Sequence, residues 1–382
     1  WNTYSAATDA EGFYLSNCGS SQITNNTFNA THTTIGLVDG IYLANSASCT
    51  ITGNSFANLS GTDAITYGIN LAGNSSSATI FPSSGTRITN TAIYLNSPAG
   101  TNDIISNNTI SGFGTYGIYL IAVSSATNMV IKNNYISGGT YGIYLMGADA
   151  TSGSPSSIYN NIFYNQTNTC LYLYTSNGSY YNRYWKIYYN TAYTNGTYVV
   201  WLDNYSGSAG YYDNLTFKDN IFYNYTSGAS SYIYYITAGL PPTGFASDYN
   251  DLFSLGTNQY YINGTNYTSL ATWNTASSNQ DAHSITRDPG FTNKAAPSTG
   301  GLQLQDASFC QGIATPITGL ITIATDYAGT TRDATIPDIG SYEDTNPVPA
   351  PIAGGIYTVP GNYPTITAAV NDLTAKGISG AV

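Results

Sequence analysis

A short string recurs along this chain, and its recurrence limits the possible folds more than any other feature. GFYL occupies positions 12–15, GIYL 40–43, GINL 68–71, GIYL 117–120 and GIYL again 142–145. Degenerate copies fill the intervals: AIYL at 92–95, CLYL at 170–173, VVWL at 199–202 and YIYY at 232–235. Successive copies start 24–33 residues apart. A second string follows most copies, as in ITNNTF (23–28), ITGNSF (51–56), ISNNTI (105–110), IKNNYI (131–136), IYNNIF (158–163) and FKDNIF (217–222). Its asparagine recurs at Asn26, Asn54, Asn108, Asn134, Asn161, Asn190, Asn220 and Asn250. A unit repeated at such a period stacks on its own neighbours.

Each string alternates apolar and polar residues over four to six positions, which is the pattern of a short strand. Gly, Ser, Asn and Thr clusters lie between the strings and supply turns. No stretch from 1 to 340 has a strong helical period, so helix-linked sheets are disfavoured. Parallel pairing of successive repeats then requires the chain to coil once per repeat. The expected fold is all-β, a parallel β-helix in which equivalent residues stack about 4.8 Å apart. The Ile, Leu and Phe columns fill the interior. The Asn column sits at an inward turn, each amide bonded to the next, and Asn suits it because it both donates and accepts and tolerates left-handed backbone. One coil, near residues 75–90, lacks a clean copy.

Only 8% of the 382 residues are charged, with a net charge of −11. Nine scattered cations cannot form the basic stripe that nucleic acid requires. A stack of like charges one strand apart would repel, so the scarcity of charge also fits the architecture. No apolar run is long enough for a membrane span. His32 and His283 are isolated and only Glu11 and Glu343 occur, so no metal site, triad or cofactor is expected. Cys18, Cys49, Cys170 and Cys310 read as small buried hydrophobes, with a Cys18–Cys49 staple between neighbouring repeats as the sharper alternative.

Through the two repeated strings the chain resembles bacterial secreted right-handed parallel β-helix repeat proteins, the pectate-lyase-like superfold, over about residues 10–345. DPGF (288–291), LQLQDASFC (302–310), DYAGTTRD (326–333) and PDIGSYE (337–343) are similar to the terminal coils of such proteins. That resemblance makes Asp326, Arg332 and Asp338 a closing coil, an arginine tied to carboxylates over the open end of the solenoid, rather than a catalytic group. Residues 346–356 form a Pro- and Gly-rich linker. Residues 357–382 resemble the N-terminal cap of a following or neighbouring β-helix. They contain a short amphipathic helix from Pro364 to Leu373, and GISGAV would be its first strand. A β-helix, a linker and a second start suggest a unit of a tandem array, a cap that covers a neighbour's open coil, or a truncated chain.

Enzymes of this superfold usually act on acidic polysaccharides, and the resemblance asks for clustered carboxylates with a nearby Arg or Lys. Alignment on the Asn column places Lys132, Tyr159, Tyr188, Lys218 and Asp248 in one file. Lys218 and Asp248 then lie side by side, with Arg183 and Lys186 one coil earlier. This is the best candidate constellation, although exposed Lys–Asp pairs are common. The outward position of the first strand carries Tyr14, Tyr42, Tyr94, Tyr119, Tyr144, Tyr172, Trp201 and Tyr234. Such a stripe stabilises the ladder from coil to coil, buries against another filament, or stacks on sugar rings. The expectation is a non-enzymatic extracellular or cell-surface protein, a building block of a fibre or giant adhesin joined head to tail. A glycan-binding or polysaccharide-active module is the alternative.

Overall fold

The computed structural model describes residues 101–345 apart from 122, 124, 176–180, 205–211, 238–243, 296–299 and 307. Between 10 and 100 it describes mainly the strands, and beyond 345 only Thr358 and Ile366. Three sheets run along a right-handed solenoid. Sheet A has eleven strands, starting with Ala10–Ser16, and holds the GIYL strings. Sheets B and C have nine each, starting with Gln22–Thr24 and Thr27–Phe28. Neighbours within each sheet come from successive coils, and every pairing is parallel until the last one in sheet A.

The register follows the sequence columns. Ile93 pairs with Ile118, Ile143, Leu171 and Val200 in turn, and Leu95 leads the parallel column Leu120, Leu145, Leu173, Leu202. These side chains are buried and fill the interior. The ladder also continues through the irregular coil, where Ile80 pairs in register with Ile51 on one side and Ile105 on the other.

The corner between sheets B and C is two residues long. Its first residue has positive φ in coil after coil: Asn25, Gly53, Asn107, Asn133, Asn160, Tyr189, Asp219 and Tyr249. The left-handed residue is therefore the one before each ladder Asn, not the ladder Asn itself. Freed of that turn, the second residue points inward. Asn134 donates through Nδ2 to Asn161 Oδ1 at 2.9 Å, Asn161 to Asn190 at 3.0 Å, Asn190 to Asn220 at 3.0 Å and Asn220 to Asn250 at 2.9 Å. Asn108 joins this run through Asn134, and Asn26 pairs separately with Asn54. Every step points the same way, so the amide dipoles add, with their positive end at Asn250. There Asn250 Nδ2 donates to Asp281 Oδ1 at 3.2 Å, so the positive end of the row meets an acceptor.

The C-terminal end of the solenoid is closed before the expected closing coil is reached. Strand Asn258–Ile262 turns back and pairs antiparallel with Thr265–Tyr267. Helix Leu270–Ala276, capped by Ser269, then lies over the end. This helix occupies a region read from sequence as non-helical. Its Trp273 is fully buried, stacks on Tyr234 and Tyr260, and donates Nε1 to Asp281 at 2.8 Å. The helix expected from Pro364 to Leu373 lies outside the described residues, except that Ile366 is helical and exposed. The linker and the GISGAV strand also lie outside them.

The described residues between 288 and 344 form a strap that runs back along the B–C corner. Beneath it lies a second hydrophobic layer outside the solenoid, including Ile162, Tyr189, Ile221, Tyr223, Leu302 and Ile339. The strap docks on the left-handed corner residues. Asn160 Nδ2 donates to Thr325 O at 2.8 Å, Tyr189 Oη to Thr315 O at 2.7 Å, and Thr315 N to Asp219 Oδ1 at 3.1 Å. Gly340, at φ 96°, passes so close that a Cβ would lie 2.6 Å from Ile221 Cδ1. The expected closing coil therefore covers a flank, not the open end. Cys18 and Cys49 are thiols rather than a disulfide, with Cys49 Sγ donating to the Cys18 carbonyl at 3.3 Å.

Candidate functional site

Alternation in sheet A turns the central Tyr of each GIYL string outward. Tyr14 pairs with Tyr42, and Tyr94, Tyr119, Tyr144, Tyr172 and Trp201 follow one another in register. Tyr234 departs from this file. The register sets Tyr235 beside Trp201, while Tyr234 lies beside Val200 and is fully buried. A one-residue shift sends a side chain to the opposite face. Inside the core Tyr234 packs on Phe217, Phe245 and Trp273, and its hydroxyl lies 3.0 Å from Ser247 Oγ. Tyr235 and Tyr261 continue the outward file.

A second file was not read from the sequence. Tyr116, Tyr141, Tyr198 and Tyr232 each precede a ring of the first file by three residues, a spacing that strict alternation would put on opposite faces. Tyr116 nonetheless meets Tyr119 at 4.5 Å, and Tyr198 meets Trp201 at 4.6 Å. In the YGIY copies the residue after this Tyr is glycine, and a Cβ on Gly117 would lie 2.6 Å from Gly142 O. The repeated Y-G-I-Y spacing was the available signal.

The two files form one surface of contacting rings from Tyr94 to Tyr261. The rings shield one another in the middle, where Tyr144 and Tyr172 are only 8% and 6% exposed, against 57% for Tyr14. Burial pushes the Tyr144 and Tyr172 phenols well above their ordinary range, so they stay protonated. Tyr172 Oη donates to Asp203 Oδ2 at 2.7 Å, and Thr237 Oγ1 donates to Asp203 Oδ1 at 2.8 Å. The indole nitrogen of Trp201 is buried and has no hydrogen-bond partner.

The cationic constellation does not assemble. Lys132, Tyr159, Tyr188, Lys218 and Asp248 do share one file of sheet B. Lys218 Nζ, however, lies over the Tyr249 ring at 5.1 Å, while Asp248 binds His283 Nδ1 at 2.7 Å. His283 is thus paired, not isolated; the partner lies 35 residues away, where no repeat alignment points. Arg183 is committed to Asp149 of the preceding coil at 2.5 Å, and Lys186 Nζ to Thr216 Oγ1 at 2.9 Å, with burial lowering the Lys186 pKa. Among the described residues no ion pair joins Lys218 to Asp248. Nor does any group of three or more His, Cys, Asp or Glu stand ready to hold a metal there.

Asp326, Arg332 and Asp338 lie within the strap and are almost fully buried. Arg332 is tied to the Glu343 carboxylate at 3.3 Å. It also donates to Asn160 Oδ1 at 2.9 Å and Gly340 O at 2.8 Å and stacks on Tyr189 at 3.8 Å. Asp326 accepts from Thr330 N and Glu343 N, and Asp338 from Gly312 N and Asp344 N. These buried groups fasten the strap.

The coiled ladder and its sequence period define a class, and the family comparison agrees. Residues 67–280 match the family described as "Right handed beta helix region", and the chain belongs to it. No curated protein matches the chain. Among the described residues no helix is long and apolar enough to cross a membrane.

Proposed function

We propose that this chain is a non-catalytic extracellular structural protein, a β-helical building block of a cell-surface fibre or giant adhesin joined end to end. The aromatic face of sheet A carries this reading, because its outward rings run in unbroken contact from Tyr94 to Tyr261. Outward aromatic rings that are only partly covered offer apolar area for a contact. The residues that resembled an active site support the same reading, since Arg183, Lys186, Lys218 and Asp248 each have a separate partner. Closure of the C-terminal end by Trp273 favours a covalent tandem array over direct stacking of bare solenoid ends.

Glycan binding is the second reading, and the Asp203 carboxylate beside the rings favours it, since it could accept from a sugar hydroxyl. Incubation of the purified protein with acidic polysaccharides tests the main reading against an enzymatic one. No new chain ends are expected. Cleavage that disappears in Lys218→Ala would overturn the structural reading.

A further inference from the structure

The last strand pair of sheet A is joined by a tight hairpin that carries a modification motif. Ile262 pairs with Thr265, so Asn263 and Gly264 alone make the turn. Both have positive φ, 43° and 88°, as a two-residue Asn-Gly hairpin turn requires. Asn263, Gly264 and Thr265 also spell Asn-X-Thr, the acceptor sequence for N-linked oligosaccharide. Asn and Thr are so common here that such triplets recur by chance, and burial decides among them. Asn224 of triplet 224–226 is fully buried and donates Nδ2 to Gly196 O at 2.9 Å. In 107–109 the middle residue, Asn108, is a buried member of the ladder. In 165–167, 195–197 and 214–216 the middle residue is buried too. Asn266 of 266–268 is exposed, but its Oδ1 accepts from Tyr232 Oη at 3.0 Å. Among the described triplets only 263–265 has all three residues exposed. A Cβ on Gly264 would meet nothing within 4 Å, so the turn stands in open space.

We propose that Asn263 is an acceptor for an N-linked oligosaccharide. The inference rests on the extracellular reading above, because this sugar transfer takes place on the outer side of a membrane. The co-reactant is a polyprenyl-pyrophosphate-linked oligosaccharide, and the catalyst is an oligosaccharyltransferase. Asn263 Nδ2 forms a bond to the anomeric carbon as the bond from that carbon to the pyrophosphate oxygen breaks. The polyprenyl pyrophosphate leaves with the electron pair, and Nδ2 gives up one proton to a base of the transferase. The Thr265 hydroxyl is the group by which the transferase recognises the acceptor. Folded protein carries the sugar only at exposed positions, since a glycan on a buried asparagine has no room in the solenoid.

The position gives the sugar a role. Thr265–Tyr267 is the final strand of sheet A, and among the described residues no further strand pairs with it. A bulky, hydrated chain at its hairpin shields that edge from pairing with another chain. It also keeps bare solenoid ends apart, which suits units joined by a covalent linker.

The test labels intact cells of the native source with a membrane-impermeant reagent, isolates the full-length protein, and reads its intact glycopeptides by mass spectrometry. The expected result is surface-labelled protein with an oligosaccharide on Asn263, at least tenfold lower occupancy at Asn107 and Asn195, and none at Asn224. Asn263→Asp, which tolerates the left-handed turn, and Thr265→Ala should each remove that glycan, whereas Thr265→Ser keeps it. Circular dichroism of each variant confirms folding. Surface-labelled protein with an unmodified Asn263 would overturn the inference and leave the structural reading standing. So would occupancy at Asn107 or Asn195 equal to that at Asn263. Protein confined to the cell interior would overturn the structural reading, and the inference with it.

Discussion

Raising the pH from 5 to 8 should weaken this protein, the reverse of the usual acid sensitivity. Three buried carboxylates carry the effect. Burial is the largest influence on Asp219, Asp251 and Asp338, and each is pushed from 3.8 up to about 7. For Asp219 the Thr315 hydrogen bonds and the Lys218 and Arg332 charges pull the other way without offsetting burial. A raised carboxyl binds its proton more tightly folded than unfolded. Its contribution is fully present below 3.8 and is lost as the pH climbs through about 7. A shift of roughly 3 units corresponds to about 4 kcal/mol per group over the whole window. About 2–3 kcal/mol of that falls between pH 5 and pH 8. All three groups join the strap to the solenoid or lie within the strap, so its release should come first. Urea unfolding at the two pH values, with limited proteolysis of the 288–344 strap, measures the effect. Asp219→Asn keeps an acceptor for Thr315 N but cannot ionise, so it should shrink the difference between the two pH values by about 2–3 kcal/mol. Equal stability of the wild type at both pH values, or an unchanged slope in the variant, would refute the reasoning.

Asn190→Ala should cost about 3 kcal/mol or more in urea unfolding, since Asn161 loses its acceptor and the Ile158 carbonyl its donor in the buried interior. Asn26→Ala, at the half-exposed end of the ladder, should cost about 1 kcal/mol. Trp273→Ala should destabilise by about 3–5 kcal/mol and raise hydrogen exchange in strand Asn258–Ile262, because the lid loses its buried anchor and Asp281 loses a donor. Tyr234→Ala should cost about 3–5 kcal/mol by thermal or urea melting, while Tyr235→Ala costs about 1 kcal/mol, a contrast that reads out the register directly.

The solenoid, its columns and the Asn ladder were legible because each repeats the same physical problem at every coil. An inward amide needs a partner one strand away, and the only group always there is its own equivalent. The register at Tyr234 was not legible, because Tyr232, Ile233, Tyr234, Tyr235 and Ile236 offer no apolar–polar alternation to fix the faces. What settles it is Phe217, Phe245 and Trp273, which come from three other segments. The second tyrosine file was hidden by its three-residue offset. The strap was misplaced for a related reason. Its motifs were recognisable, but its docking site is a set of corner residues, Asn160, Tyr189 and Asp219, chosen by three-dimensional proximity rather than by any period. His283 and Asp248 likewise meet only because residues 280–285 fold over the last coil.

Negative-stain electron microscopy of the protein in its native material tests the central proposal most directly. A β-helical unit joined end to end should appear as long thin fibres of uniform width. Dispersed single rods, each the length of one solenoid, would contradict it.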